Sequence, residues 1–268
     1  MKNDAFGDKM KEFEMVEAGR KAMPGLPLLA RLDGRAFHTF TKGMDRPFDI
    51  VMSTAMIDVT RYLVEEMHAT IGYTQSDEIT LAWHITNPAA GFLFDGRYQK
   101  LTSVLAAAAS AKFMQCLITT SKKYEHKALK MLPSFDCRVW QVPNLETAVD
   151  VFVWREADAT KNSISMAAQE YFSHKELHKK TGNEKQEMLW QKGINWNDYP
   201  AFFKRGSYLQ RRVVQRELTP EELSAIPEKH HPDGPVLRSD VVVLDMPPIK
   251  QVTNKVDVLF LHQQPQTA

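Results

Sequence analysis

Residues 71–83, IGYTQSDEITLAW, alternate on a period of two, with Ile71, Tyr73, Ile79, Leu81 and Trp83 on one side. Successive side chains of a strand point to opposite faces, so this alternation reads as extended chain. A polar centre, Gln75 to Glu78, interrupts it and turns the run into a hairpin. The hairpin commits the chain to a sheet, and the flanking patterns supply the rest of the architecture. Before it, Val51, Ala55, Val59, Tyr62, Leu63 and Met67 recur at helical spacing behind Asp49, a residue suited to capping a helix that runs to about residue 68. Earlier still, an apolar run over 26–32 ends at Asp33-Gly34. After the hairpin come an Ala-rich helical segment over about 98–120 and a strand over 135–142. The order βαββαβ is the split βαβ, or ferredoxin-like, arrangement. An α+β fold of the kind used by polymerase and nucleotide-cyclase palms is therefore expected, an analogy that speaks to scaffold and not to activity.

The remaining segments attach to that unit. Residues 8–23 predict a charged amphipathic helix with Met10, Phe13, Met15 and Val16 on one side. From 144 onward the pattern is helical over 145–155, 162–172 and 184–191, with a polar and aromatic loop over 193–206. Strands are expected around 213–214 and 241–244, separated by an exposed excursion over 219–234 that carries Pro, Glu and His. The expected division is a palm-like catalytic domain over 1–143, including the N-terminal helix, and additional C-terminal helices and strands over 144–268 packed on it as one globular unit.

The 268 residues, 43% apolar and 25% charged, suffice for a substantial core. A net charge of +1, from 34 basic and 33 acidic residues, neither requires nor excludes a nucleic-acid partner, because a basic face can be balanced elsewhere. The N-terminal residues are too charged for a signal peptide, no apolar run is expected to reach membrane-spanning length, and Cys116 and Cys137 lack metal-ligand spacing. A cytoplasmic location without a membrane is the expectation. Patterns for a nucleophile elbow, a zincin helix and a phosphate-binding P-loop are absent from the sequence.

The chemistry is expected where strands end in acid. Asp33 closes the first apolar run and Asp77-Glu78 sits in the hairpin turn. Carboxylates on neighbouring strand tips are held rigidly enough to grip one hard cation. Mg²⁺ prefers oxygen, keeps several waters, and takes one or two carboxylates together with substrate phosphates. Paired Mg²⁺ ions support in-line nucleotidyl transfer, which needs fixed positive charge more than it needs a strong base. A separate basic cluster, Lys204, Arg205, Arg211 and Arg212, interleaved with Phe202, Phe203 and Tyr208, is the RNA-binding candidate. Arg and Lys grip phosphates while aromatic rings stack on unpaired bases. His174 and His178, four apart, have no third ligand in sequence and read as a solvated helix face.

Taken together, RLDGRAFHTF, YTQSDE, FDCRV, WREADATKNSI, NEKQEMLW and INWNDYPAFFKRG resemble the tRNA-His guanylyltransferase family, and more closely its bacterial, archaeal and phage branch of 3′-to-5′ polymerases. The likeness runs over about 6–261, and its specificity lies in the ordered set of motifs. The resemblance implies a palm that uses two Mg²⁺ ions, with GTP and ATP as substrates, to add a nucleotide to the 5′ end of tRNA after the 5′-phosphate is adenylylated. It also implies a homo-oligomer, commonly a tetramer. On this match Asp33 and Asp77 are metal ligands with the Gly34 carbonyl, and Glu78 completes the catalytic acids as ligand or local base. The backbone at Gly34, Arg35, Ala36 and Phe37, with His38, wraps the triphosphate. Ser76 lies near the metal, Lys100 serves the activation step, and Arg46 is a basic contact. Eukaryotic members carry a His-Ile-Asn-Asn run where this chain reads Thr160-Lys161-Asn162-Ser163. The His is absent and Asn162 remains as an RNA-binding candidate, which by resemblance goes with templated 5′-end repair over obligatory tRNA-His maturation. Two alternatives stand beside this reading: a palm-type nucleotide cyclase and a non-catalytic RNA-binding module.

Overall fold

A computed structural model of the chain describes residues 4–268 apart from 86, 88 and 89. Six antiparallel strands form one sheet: β1 (Leu28–Gly34), β2 (Ile71–Gln75), β3 (Glu78–Trp83), β4 (Phe135–Gln141), β5 (Ser207–Arg216) and β6 (Val236–Val243), in the order β4-β1-β3-β2-β5-β6. The helices are α1 (Ala5–Ala18), α2 (Phe37–Phe40), α3 (Ile50–Glu66), α4 (Tyr98–Thr120), α5 (Lys122–Met131), α6 (Leu145–Tyr171), α7 (His174–Leu177), α8 (Gly182–Gln191), α9 (Ala201–Arg205), α10 (Pro220–Ser224) and α11 (Lys255–Phe260). The first four strands with α3 and α4 make the expected βαββαβ unit. The C-terminal segment adds β5 and β6 to the same sheet through β2.

The sheet has a core on each face. Leu28, Ala30 and Leu32 of β1, with Ile79, Leu81 and Trp83 of β3, meet α3 and α4. Leu29, Ile71, Tyr73 and Ala82 meet Phe152 of α6 and Tyr208 on the opposite face. Ile71 and Tyr73 thus leave the side to which uninterrupted alternation assigned them. The hairpin turn holds only two residues, so Tyr73 pairs with Thr80 and Ile71 with Ala82. Cross-strand partners share a face, and odd-numbered residues of β2 therefore lie with even-numbered residues of β3. On the other face of β2, a Cβ at Gly72 would fall 2.6 Å from a Val64 methyl, which is how α3 comes so close to the strand. Burying a side chain such as Phe152 stabilises by about 1.5–3 kcal/mol.

Local chemistry accounts for most helix limits. Asp49 caps α3 by accepting from the Met52 N–H at 3.1 Å. α1 stops short of residue 23 because the chain around Ala22 is drawn into extended bonding, the Ala22 N–H to the Gly96 carbonyl at 2.9 Å. α6 is one helix of 27 residues where two were expected. It contains no Gly or Pro, and its inner face runs on through Arg155, Glu156, Ala159 and Ser163, all buried. The polar members have partners: the Tyr208 hydroxyl donates to Glu156 at 3.0 Å and the Ile249 N–H at 2.8 Å. α5 was not anticipated; it is a short amphipathic helix that buries Tyr124 and Ala128. α4, at 23 residues, is long and apolar enough to cross a membrane by length and composition, contrary to the sequence expectation. Its row Leu101, Leu105, Ala109, Phe113 and Leu117 is buried against the sheet.

Candidate active site

The tip of β1 and the β2–β3 turn meet at one end of the sheet. The Gly34 N–H donates to the Asp77 carbonyl at 3.0 Å, and Asp33 lies opposite Glu78 in the β1–β3 register. Only glycine fits at 34, because a Cβ there would sit 2.4 Å from the Phe37 ring. Phe37 packs within 5.1–5.3 Å of Phe40, Phe113 and Phe135, measured between ring centroids, so the turn after Asp33 rests on an aromatic cluster. Ser76 takes a left-handed backbone (φ 53°), and its hydroxyl donates to the Asp77 carboxylate at 3.0 Å.

These tips open into a cleft of about 520 Å³. Of the sequence candidates, Asp33, Gly34, Ala36, Phe37, His38, Arg46, Ser76 and Asp77 line it. α6 contributes Met166 and Gln169 to the opposite wall, and α9 contributes Phe202 and Phe203. Burial pushes the Asp77 carboxyl above its ordinary range; the Ser76 hydroxyl opposes the rise and the Asp33 charge adds to it. Two hard oxygen donors that share one opening, the charge of one raising the pKa of the other at Asp77, form a donor set suited to a cation such as Mg²⁺. Asp49, at the cleft floor, is held below the ordinary carboxylate range: burial acts to raise it, but hydrogen bonds from the Tyr124 hydroxyl and the Met52 and Asp45 amides outweigh burial.

The backbone after Asp33 is only partly free. The Gly34 and Arg35 N–H groups are committed to the Asp77 and Ser134 carbonyls, the latter at 2.9 Å. Those of Ala36, Phe37 and His38 make no hydrogen bond among the described residues and belong to cleft-lining positions. The Arg35 side chain turns away, its Nε donating to Ser134 Oγ at 3.2 Å. His38 is exposed, with Thr39 Oγ1 3.0 Å from its Nε2. Arg46 is exposed at the cleft rim.

Three groups of candidates stand elsewhere. Glu78 does not line the cleft. It is gripped by Arg31 at 3.3 Å and by Arg155, whose other terminal nitrogen lies 3.6 Å from Asp158. Lys100 stands on the first turn of α4, its ammonium 5.7 Å from the centroid of the Phe94 ring. That turn meets Gln141, which pairs with Leu28 at the end of β1 remote from Asp33, about 17 Å along the strand. The structure therefore does not bring Lys100 to the acidic tips of its own chain.

The basic cluster is also dispersed. Lys204 donates to the Asn197 carbonyl and covers Trp196, and Arg205 reaches the Met246 carbonyl at 3.4 Å. Arg211 bonds Ser239 O at 3.1 Å and pairs with Glu65, while Arg212 bonds the His262 and Gln263 carbonyls. Phe203 and Tyr208, proposed as base-stacking rings, are 4% and 2% exposed and belong to the core. Asn162 is exposed on α6 and donates to Asp158 at 3.2 Å.

Sequence reasoning passed over Arg31, Arg155 and Asp158. Arg31 lies two residues before Asp33 and so shares its strand face. Residues 155, 158, 162, 166 and 169 follow helical spacing, a signal visible only once α6 is read as continuous.

The model of a family described as tRNAHis guanylyltransferase matches residues 7–143, just over half of the chain. The tRNA(His) guanylyltransferase of Saccharomyces cerevisiae is 29% identical over 231 residues, covering 79% of this chain and 92% of that protein. Among solved structures, a bacterial tRNA(His) guanylyltransferase-like protein in complex with ATP superposes with a TM-score of 0.77 at 32% identity, covering 96% of this chain and 99% of that one. Such a protein in complex with GTP gives 0.70 at 30% identity, covering 92% and 94%.

Proposed function

The chain belongs to the tRNA-His guanylyltransferase family and is a transferase, and from that premise we propose that it adds a nucleotide, typically GMP from GTP, to the 5′ end of a tRNA in the 3′-to-5′ direction. The observation that carries the reading is the convergence of Asp33 and Asp77 on a cleft whose Ala36, Phe37 and His38 amides have no hydrogen-bond partner among the described residues. In this reading Asp33 and Asp77 hold Mg²⁺, with the Gly34 carbonyl contributing. Mg²⁺ held by these residues would supply positive charge to offset the charge that develops on the phosphate oxygens. The unbonded amides receive triphosphate oxygens, as successive backbone N–H groups do in anion nests. Arg46 and His38 border the same space and supply donors to the leaving pyrophosphate. The tRNA 5′-phosphate is first joined to AMP from ATP with loss of pyrophosphate; the 3′-hydroxyl of GTP then attacks that phosphate and AMP leaves.

Relatives solved in complex with ATP and with GTP support nucleotide substrates for this chain. The absence of the His at position 160 supports templated 5′-end repair over obligatory tRNA-His maturation. In a homo-oligomer, a tetramer in this proposal, a second copy would be able to bring Lys100, which stands remote from the acidic tips of its own chain, to a cleft. The test offers the protein 5′-truncated and full-length tRNAs with Mg²⁺, ATP and each nucleoside triphosphate, followed by sequencing of the 5′ ends. New 5′ nucleotides complementary to the 3′ strand support the proposal. A cyclic nucleotide formed without RNA identifies a cyclase, and a tRNA gel shift without product at any Mg²⁺ concentration identifies a binding module.

A further inference from the structure

Glu78 follows Asp77 directly, yet the two carboxylates have opposite surroundings. Asp77 faces the cleft, while Glu78 lies between two guanidinium groups, those of Arg31 and Arg155. Arg155 is 6% exposed and has a second acid, Asp158, at 3.6 Å. Arg31 is less well provided: its Nε is buried without a hydrogen-bond partner among the described residues, and one terminal nitrogen serves both Glu78 at 3.3 Å and Asp33 at 3.9 Å. The two acids thus compete for the same Arg31 nitrogen, and Glu78 has the shorter contact.

We propose that Glu78 is a positioning residue that holds the Arg31 guanidinium off Asp33, leaving the Asp33 carboxylate open to a cation. This inference rests on the metal-binding reading of Asp33 and Asp77 given above. The charge arrangement makes the consequence of losing Glu78 specific. Arg155 keeps Asp158, but the acid left within reach of Arg31 is Asp33, two residues away on the same strand face. Arg31 then closes on Asp33 and competes with the metal for it. A close guanidinium also holds a carboxylate in place and lowers its negative potential. Glu78 acts through Arg31 and need not touch the ion.

The test measures Mn²⁺ binding to the full chain by electron paramagnetic resonance of free Mn²⁺, without nucleotide or turnover. Glu78→Gln is expected to weaken Mn²⁺ binding roughly tenfold, the equivalent of one charge-pair competition in a partly buried site. Adding Arg31→Met to that variant is expected to return affinity to within about threefold of the parent, since the competitor is gone. If the double variant binds as weakly as Glu78→Gln alone, Glu78 is a direct ligand and the proposal is overturned. Arg31→Met with Glu78 intact guards against a folding defect in the Glu78 variant. It should bind Mn²⁺ at least as tightly as the parent, and weaker binding overturns the proposal. A parent chain that binds no Mn²⁺, or binds it unchanged after Asp33→Asn, overturns the cleft reading itself, a result distinct from failed rescue.

Discussion

The tips of β1 and the β2–β3 turn contrast with the β5–β6 ribbon at the far side of the same sheet. Both are rich in charge. At the tips, two acidic residues and three consecutive residues whose N–H groups lack a partner among the described residues line an opening. On the ribbon, Arg211, Arg212 and Arg216 are each bonded to a carbonyl or carboxylate of their own chain, with Arg216 held by Glu222 at 2.7 Å and by Asp240. Satisfied charge stabilises a surface; unsatisfied charge, preorganised by its neighbours, is what a substrate can meet. The difference is set by what the fold leaves without a partner, not by how many charged residues the sequence supplies.

The largest expected effect lies at the tips. Asp33→Asn or Asp77→Asn should lower nucleotide incorporation by roughly 10²–10³-fold, the scale of losing one preorganised electrostatic contact, with an unchanged circular dichroism spectrum; a residual rate near that of the parent breaks the contrast. Next comes the buried strut beneath the tips. Arg155→Met removes one partner of Glu78 and should destabilise the fold by about 2–3 kcal/mol in urea titration, less than the ~3–5 kcal/mol of a fully buried pair because Arg31 remains. Arg212→Ala on the ribbon should cost only ~1 kcal/mol, the value of an ordinary hydrogen bond, and leave the KM for GTP within about twofold; a large change in KM would show that the ribbon reaches the nucleotide.

The smallest effect is thermal and concerns pH. In the folded protein burial, aided by Asp33, raises the Asp77 pKa above its unfolded value. A raised carboxyl binds its proton more tightly when folded, so the ionised form weakens the fold above that pKa and the penalty fades as pH falls through it. Asp77→Asn should therefore raise the melting temperature slightly at pH 7 even as it lowers activity, and the gain should shrink toward acid pH. A lower melting temperature at pH 7 would show that Asp77 is structurally paired.

Local periodicity made the palm legible. The limits of α3 and α4, the hairpin and the acidic tips follow from alternation, capping and helical spacing carried by adjacent residues. The sheet face of Ile71 and Tyr73 was misassigned because a two-residue turn shifts the parity of pairing, a property of register that alternation alone does not reveal. The ion pairs of Glu78, read from the sequence as ligand or local base, were not visible there because Arg31 and Arg155 arrive from another strand and from α6. Phe203 and Tyr208 looked like stacking rings because an aromatic beside Arg has the same pattern whether it faces RNA or the core. Long-range pairing decided each of these positions.

The most direct test of the central claim is the anomalous scattering of Mn²⁺ in crystals grown with GTP. The account predicts peaks between the carboxylates of Asp33 and Asp77, with the triphosphate along the Ala36–His38 backbone and Glu78 still bound to Arg155. Mn²⁺ peaks elsewhere in a nucleotide-loaded crystal, or a triphosphate seated on the β5–β6 ribbon, would contradict it.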